Sequence, residues 1–216
     1  MLDSREIEGL SLQAGQYREV SLRNSSDMQD LSAWAAPGVT SDGFNYAGTE
    51  YRFNQQRTLI GAWHSQLEDI YQQHYLGLTL NTELGAGCGL KTDLRYFNHN
   101  EDGDALYGKI DNRSYGAMTT LRKAGHAFGM GYQRMLGESA FPTLNGFVPQ
   151  PYLVNWSAVA FIRPNESSWQ ARYDYDFVAM GIPGLNLTTR YLRGTGIDRG
   201  GDLSQTAENE RDLFLR

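Results

Sequence analysis

The sequence contains one cysteine, Cys88, and six prolines among its 216 residues. A single cysteine excludes a disulfide framework and a thiolate metal site. No apolar run approaches the roughly 18 to 20 residues that a membrane-spanning helix needs, so a helical membrane protein is excluded. The net charge of -6 is spread along the chain without a basic block, and we therefore expect no nucleic-acid partner.

The motifs of the common enzyme classes are also missing. The four histidines do not occur in an HxH or HExxH spacing, so the sequence predicts no metal site. The glycine cluster GAGCG at 85–89 lacks the GxGxxG spacing and the following helix of a phosphate cradle, and no GxSxG elbow marks a nucleophile. We therefore predict that the protein is not an enzyme and uses no metal and no cofactor.

Aromatic residues, by contrast, are abundant: the chain has 13 tyrosines, 9 phenylalanines and 4 tryptophans. Many of them lie in segments of strict alternation, such as SSWQARYDYDFVAM at 167–180. There Trp169 and Tyr173 fall on one parity, whereas Gln170, Arg172 and Asp174 fall on the other. A period of two predicts a β-strand with one apolar and one polar face.

The same alternation along the whole chain predicts about ten strands. Most are about ten residues long, which is the length that a tilted strand needs to cross a bilayer, whereas strands in soluble sheets peak at about five or six residues. The predicted strands lie near residues 8–18, 44–53, 57–67, 71–81, 88–98, 112–122, 126–136, 167–177, 185–194 and 208–216.

The connections between the predicted strands are sorted by length. Those in even positions, such as NQQ at 54–56, are short, and all but one of those in odd positions are long, including 19–43 and 137–166. Only LEDI at 67–70 breaks the rule. Long loops at one end and tight turns at the other are typical of an outer-membrane barrel. We therefore predict an all-β fold, an antiparallel transmembrane β-barrel of the porin type.

In such a barrel the apolar side chains face lipid and the polar ones face the water-filled lumen. The segment GLKTDLRYF at 89–97 places Lys91, Asp93 and Arg95 on one face and Leu94 and Tyr96 on the other. The alternative is a soluble all-β binding module, which predicts the same alternation for any single strand. It explains the strand lengths and the sorted connections less well.

Several long segments of the chain carry a family resemblance, namely SREIEGLSLQAGQY, QLEDIYQQHYLGL, LKTDLRYF, SWQARYDYDF and GIPGLNLTTRYLRG. They resemble the OprD (Occ) family of Gram-negative outer-membrane, substrate-specific porins. The resemblance implies a barrel of eighteen strands, of which residues 1–216 form a single partial domain without the N-terminal strands and the closing C-terminal strands.

The resemblance also implies a function. Members of this family take up small water-soluble carboxylates, including amino acids and aromatic acids, by passive diffusion across the bacterial outer membrane. The expected partners are therefore small carboxylate solutes and outer-membrane lipid. Whether the barrel is a monomer or a homotrimer stays open.

Fixed cations in a narrow pore offset the hydration that a carboxylate loses there. We expect the substrate path to be lined by Lys91, Arg95, Arg172 and Arg190, with Asp174 holding Arg172 in place. Alternatively, these charges only solvate a wide wall and pair with one another.

The stretch 137–166 matches the long family loop that folds inward and helps to line the substrate pocket. The resemblance therefore implies that this loop contributes Tyr152, Asn155 and Trp156 to the pocket. In the branch of the family that prefers basic amino acids, a tyrosine and an acidic residue precede the strand after this loop. Here these positions are Ala158 and Ala160, which favours a neutral or anionic carboxylate.

Overall fold

The computed structural model describes residues 1–21, 25–34, 38–146, 153–154, 158–197 and 206–216. These residues form β-strands and one short 3₁₀ helix, Phe177–Met180. No helix among them is long and apolar enough to cross a membrane. The strands are β1 (Leu2–Ser4), β2 (Leu10–Tyr17), β3 (Glu19–Ser21), β4 (Met28–Asp30), β5 (Phe44–Phe53), β6 (Thr58–Leu67), β7 (Tyr71–Gly85), β8 (Cys88–Glu101), β9 (Asp111–Lys123), β10 (His126–Gly137), β11 (Ser167–Asp176), β12 (Asn186–Ile197) and β13 (Thr206–Leu215).

Eleven of the strands form one antiparallel sheet in the order β1-β2-β5-β6-β7-β8-β9-β10-β11-β12-β13. Apart from the β3-β4 hairpin, which lies in the connection between β2 and β5, every strand pairs with its neighbours in sequence. The predicted all-β, antiparallel fold is confirmed. The sheet is not closed within this chain, because β1 and β13 lie at its two edges.

The ten predicted strands correspond to β2 and β5 to β13. The sequence missed β1, β3 and β4, which have 3 residues each, because alternation is not visible over so short a stretch. Several predicted ends differ from the structure. β7 continues to Gly85 and β8 to Glu101, beyond the predicted ends at 81 and 98, and Phe177 begins the 3₁₀ helix instead of ending a strand. The Asp176 carboxylate accepts a hydrogen bond from the Val178 backbone N–H at 2.9 Å and so caps this helix.

Tight turns connect alternate pairs of strands. Ala124 and Gly125, between β9 and β10, both have positive φ angles, 49° and 83°, which is the backbone geometry of a two-residue type I′ hairpin turn. The connections after β5, β7, β9 and β11 all lie at the same end of the strands, and we call this boundary of the sheet the short-turn edge. Those after β2, β6, β8, β10 and β12 lie at the other end of the strands, which we call the loop edge.

Segments from the loop edge cover one face of the sheet, which we call the inner face. Phe141 packs against Phe97 and Met135 of the sheet, and Phe161 packs against Leu192. A third cluster covers the loop ends of β6 and β7 and contains Leu31, Leu67, Ile70, Tyr71 and Ile110. The opposite, outer face keeps large apolar side chains exposed, among them Leu76, Leu94, Phe128, Met130 and Tyr132.

The two faces differ in charge as well as in burial. The strand register and the alternation of side chains place nearly every carboxylate of β5 to β13 on the inner face. The exception is Asp111, the first residue of β9. A face with apolar side chains and almost no carboxylates suits contact with lipid, where a charge is costly.

Candidate functional site

The most highly charged part of the inner face lies on β11 and β12. Arg172 of β11 and Arg190 of β12 are opposite each other in the strand register. Asp174 accepts two hydrogen bonds from the Arg172 guanidinium, each of 2.6 Å, and one from the Thr188 hydroxyl at 2.7 Å. Because the Arg172 contact is bidentate, it fixes the direction as well as the position of the guanidinium plane.

Arg190 connects this pair to β13. It lies opposite Asp212 in the register and is 9% exposed. Two guanidinium groups on adjacent strands repel each other, and the carboxylates of Asp174 and Asp212 on either side offset that repulsion. Arg172, Asp174, Arg190 and Asp212 therefore form one cluster, here called the arginine cluster.

The remaining predicted residues form a second cluster on β8. Lys91 Nζ lies 3.0 Å from Asp93 Oδ2, and the Thr79 hydroxyl donates to Asp93 Oδ1 at 2.6 Å. Arg95 is two residues further along the same inner row. Strands β9 and β10 separate this cluster from β11, a distance of roughly 14 Å across the sheet. The five predicted residues thus form two clusters rather than one.

An aromatic cleft of about 540 Å³ lies beside Arg95. The Tyr75 and Phe97 rings are 4.7 Å apart, and the Tyr46 and Trp63 rings are 6.5 Å apart. This cleft was not predicted from the sequence, although its aromatic residues occur at alternate positions of β5 to β8. Its lining includes Gln13, Tyr17, Phe44, Tyr46, Trp63, Ser65, Gln73, Tyr75, Arg95 and Phe97.

Glycines on the same or the adjacent strand make room for the rings of this cleft. A Cβ atom at Gly48 would overlap the Trp63 ring, and one at Gly77 would overlap the Tyr75 hydroxyl and ring. The rings can therefore lie against the sheet. This pairing of a glycine with an aromatic residue shapes the cleft.

Gln133 of β10 fixes part of the connection between β10 and β11. Its Oε1 accepts hydrogen bonds from the backbone N–H groups of Leu153 at 3.2 Å and Val154 at 3.4 Å. Its Nε2 donates to the Phe161 carbonyl oxygen at 3.1 Å. Gln133 is 1% exposed, so it acts as a buried anchor for this connection.

Two carboxylates hold the later part of the same connection. Glu210 of β13 accepts hydrogen bonds from the N–H groups of Ala158 at 3.1 Å and Val159 at 2.8 Å. Glu166 accepts one from the Arg163 N–H at 3.1 Å. The sequence analysis missed these anchors. The signal that could have found them is a polar residue on the inner parity near the loop edge.

The three loop residues predicted to line the pocket, Tyr152, Asn155 and Trp156, lie outside the described residues. Among the residues that are described, no group of three or more His, Cys, Asp or Glu side chains could hold a metal ion. His99, which is fully buried, contacts the Phe97 and Phe141 rings and hydrogen-bonds to Gln73 Oε1 at 2.8 Å. These contacts give it a packing role.

A family model described as outer membrane porin, OprD family, matches residues 1–216. The porin-like protein GalP of Pseudomonas putida is 40% identical over 205 residues, which are 95% of this chain and 50% of GalP. The chain thus spans about half the length of this relative.

Solved structures of this kind of porin share the fold. Pseudomonas aeruginosa OpdK, solved with vanillate, matches with a TM-score of 0.94 and 44% identity over 99% of this chain and 56% of that chain. Pseudomonas aeruginosa OccK2 (OpdF), solved with glucuronate, matches with a TM-score of 0.88 and 35% identity over 98% of this chain and 65% of that chain.

Proposed function

The chain belongs to the OprD family of outer membrane porins, and we propose that it forms part of the wall of a channel for small carboxylates. Porins of this family are outer-membrane proteins, so the chain lies in the outer membrane. Porins are channels rather than enzymes, and solute crosses by passive diffusion. We further propose that residues 1–216 form one partial domain of an eighteen-stranded barrel.

The observation that carries this proposal is the arginine cluster on the loop-covered inner face. A carboxylate that enters a narrow pore loses part of its hydration, and a guanidinium group offsets that loss with paired N–H donors. Arg172 is already oriented by Asp174, so little side-chain freedom is lost when a solute passes. A cation that is also paired with a carboxylate binds weakly enough to release the solute again.

The second cluster continues the path. Lys91 and Arg95 lie on the same face as the arginine cluster, roughly 14 Å away across the sheet, and Lys91 is likewise paired with Asp93. Several weak sites in series permit entry and exit, whereas a single strong site would trap the solute. We therefore assign both clusters to one carboxylate path.

The aromatic cleft beside Arg95 refines the substrate class. A carboxylate that carries a ring can place its charge near Arg95 while its ring contacts the Tyr75 and Phe97 rings. The relative OpdK has been solved with vanillate, an aromatic carboxylate. We propose that aromatic acids are among the solutes that this chain helps to conduct.

The outer face argues against the soluble binding module. Met130 is 62% exposed, Phe128 57% and Leu76 55%. A soluble protein rarely exposes so many large apolar side chains on one contiguous face. A bilayer solvates them, and it also accounts for the near absence of carboxylates there.

Uptake into liposomes tests the proposed function. The full-length protein is reconstituted, and the entry of vanillate is compared with that of vanillyl alcohol, which has the same ring without the carboxylate. Vanillate should enter faster in spite of its charge, and Arg172→Gln with Arg190→Gln should remove most of the difference. Equal rates in the unmodified protein would refute carboxylate selectivity.

A further inference from the structure

The outer face near the loop edge is divided into a part without basic side chains and a basic part. On β2 to β8 the outward residues close to this edge are uncharged amides, namely Gln16, Asn45, Gln66, Gln72, Asn98 and Asn100. In this first part, Asn45 donates a hydrogen bond to Glu68 at 2.7 Å and Gln66 donates one to Asp102 at 2.9 Å. On β9, β10 and β12 the outward residues in the loop-edge half of the strand include Arg113, Arg134 and Arg193. We call these three the rim arginines.

The strand register places Arg134 between Arg113 and Arg193. Arg134 lies opposite Tyr115, two residues along β9 from Arg113, so these two arginines are diagonal neighbours with Cα atoms about 7 to 8 Å apart. Arg134 lies opposite Ser167 on β11 and Arg193 lies opposite Trp169 on the same strand, so two strands and two residues separate Arg134 from Arg193, roughly 12 Å. This spacing suits a headgroup with more than one phosphate.

The charge of this group is largely uncompensated. Arg113 and Arg193 are exposed, and within the described part of the chain neither side chain forms a hydrogen bond or an ion pair. Arg134 donates a hydrogen bond to the Ser167 hydroxyl. Asp111 lies two residues from Arg113 on the same face of β9 and offsets one of the three charges, and Glu138 is paired with Lys109 at 2.9 Å. The rim arginines therefore present a net positive surface.

An apolar surface continues from the rim arginines toward the short-turn edge. Tyr115 is 45% exposed and Tyr132 is 46% exposed. The small side chain of Ala117 lies opposite Tyr132, and that of Ala171 lies opposite Tyr191. Small residues between large rings leave shallow depressions in which acyl chains can lie.

We propose that the rim arginines bind a lipid with a phosphorylated headgroup, with its acyl chains on the apolar surface below. Charge complementarity selects the headgroup, because guanidinium groups bind phosphate oxygens through paired N–H donors. The depth of these side chains in the bilayer is also consistent with a bound lipid, since the charges lie in the loop-edge half of the strands and the rings lie nearer to mid-strand. The neutral amides on β2 to β8 make the binding site local to one side of the barrel.

The test is the binding of lipid A to the full-length protein in mixed micelles. Arg113→Gln with Arg193→Gln removes two rim charges from side chains that are exposed and thus dispensable for packing. Its matched control is Arg57→Gln with Lys123→Gln, which removes two exposed charges at the short-turn edge. Dephosphorylated lipid A and inorganic phosphate serve as the other two ligands.

We expect affinity for lipid A to fall about fivefold for each rim arginine removed, and to stay unchanged in the control pair. Arg113→Lys with Arg193→Lys, which keeps both charges, should retain most of the affinity. Dephosphorylated lipid A should bind weakly and be insensitive to either pair, and carboxylate uptake should be unaffected throughout.

Three results would overturn the proposal. One is an equal loss of lipid A affinity in both pairs. Another is undiminished binding of dephosphorylated lipid A, which would show that phosphate is irrelevant. The third is binding of inorganic phosphate as tight as that of lipid A, because the site would then be specific for a free anion and not for a lipid.

Discussion

Asp174 determines how the Arg172 guanidinium is oriented on the inner face. It accepts hydrogen bonds from Arg172 and from Thr188, and these bonds keep the guanidinium in one orientation on the wall. The same carboxylate also contributes a negative charge that repels anions. Its two effects, on geometry and on charge, can be separated by substitution.

Replacing Asp174 by Asn in the full-length barrel should raise the preference of the channel for anions, because it removes a negative charge beside Arg172. The reversal potential under a salt gradient measures this change. Thr188→Val is the matched control, since it removes one hydrogen bond to Asp174 and leaves the charge unaltered. A shift toward cations in Asp174→Asn would show that the loss of Arg172 orientation outweighs the change in charge.

Glu210→Gln should loosen the connection between β10 and β11. A hydrogen bond to a charged acceptor contributes about 1.5 to 3 kcal/mol, and Glu210 accepts from the N–H groups of Ala158 and Val159. Hydrogen exchange of these two amides should become faster. Glu208→Gln, on the same strand and paired with Arg163 at 3.4 Å, should leave both amides unchanged. Equal protection of these two amides from exchange in the unmodified protein and in both variants would contradict the anchoring role of Glu210.

Alternation alone was enough to predict that Arg172 and Arg190 share a face. Arg172 and Arg190 lie on the inner face because a period of two leaves no other choice once one face is known. It was not enough to predict burial. Gln170 has the predicted parity but is only 4% exposed, because Met118 on β9 lies against it. Contacts of this kind depend on register between strands, which a single strand does not reveal.

The long strands were the most predictable elements. β7 has 15 residues and β8 has 14, so each shows many cycles of the alternation. The hairpin of β3 and β4, with 3 residues in each strand, has no such signal. The clusters around Phe141 and Phe161 were equally hidden, because they depend on where long connections fold back.

Leu78, near the middle of β7, tests the assignment of the outer face. It lies between Ile60 and Leu94 of the adjacent strands. Leu78→Arg should destabilise the full-length barrel in lipid by about 2 to 4 kcal/mol, because it places a charge against hydrocarbon. The measurement is reversible unfolding by denaturant in lipid bilayers.

Asn81→Arg is the matched control on the same strand. Asn81 is exposed and has the opposite parity to Leu78, so its replacement should cost much less. Equal destabilisation by the two substitutions would mean that the two faces are in the same environment. That result would remove the basis for a lipid-facing surface.

The whole molecule combines two opposite surfaces in one sheet. The outer surface is apolar with rim arginines, and the inner surface carries the two charged clusters, the aromatic cleft and the loop anchors. Because loops from one edge cover the inner face, a solute of the proposed channel would pass between these loops and the wall. This arrangement would make the proposed barrel selective.

The central claim is that the arginine cluster draws carboxylates along this wall. The most direct test is the reversal potential of single channels of the full-length protein under a salt gradient, with and without Arg172→Gln and Arg190→Gln. The double substitution should shift selectivity toward cations. The shift should be larger at low salt, because the field of each arginine is screened over about 8 Å at physiological ionic strength. An unchanged reversal potential in a well-folded double variant would contradict the claim.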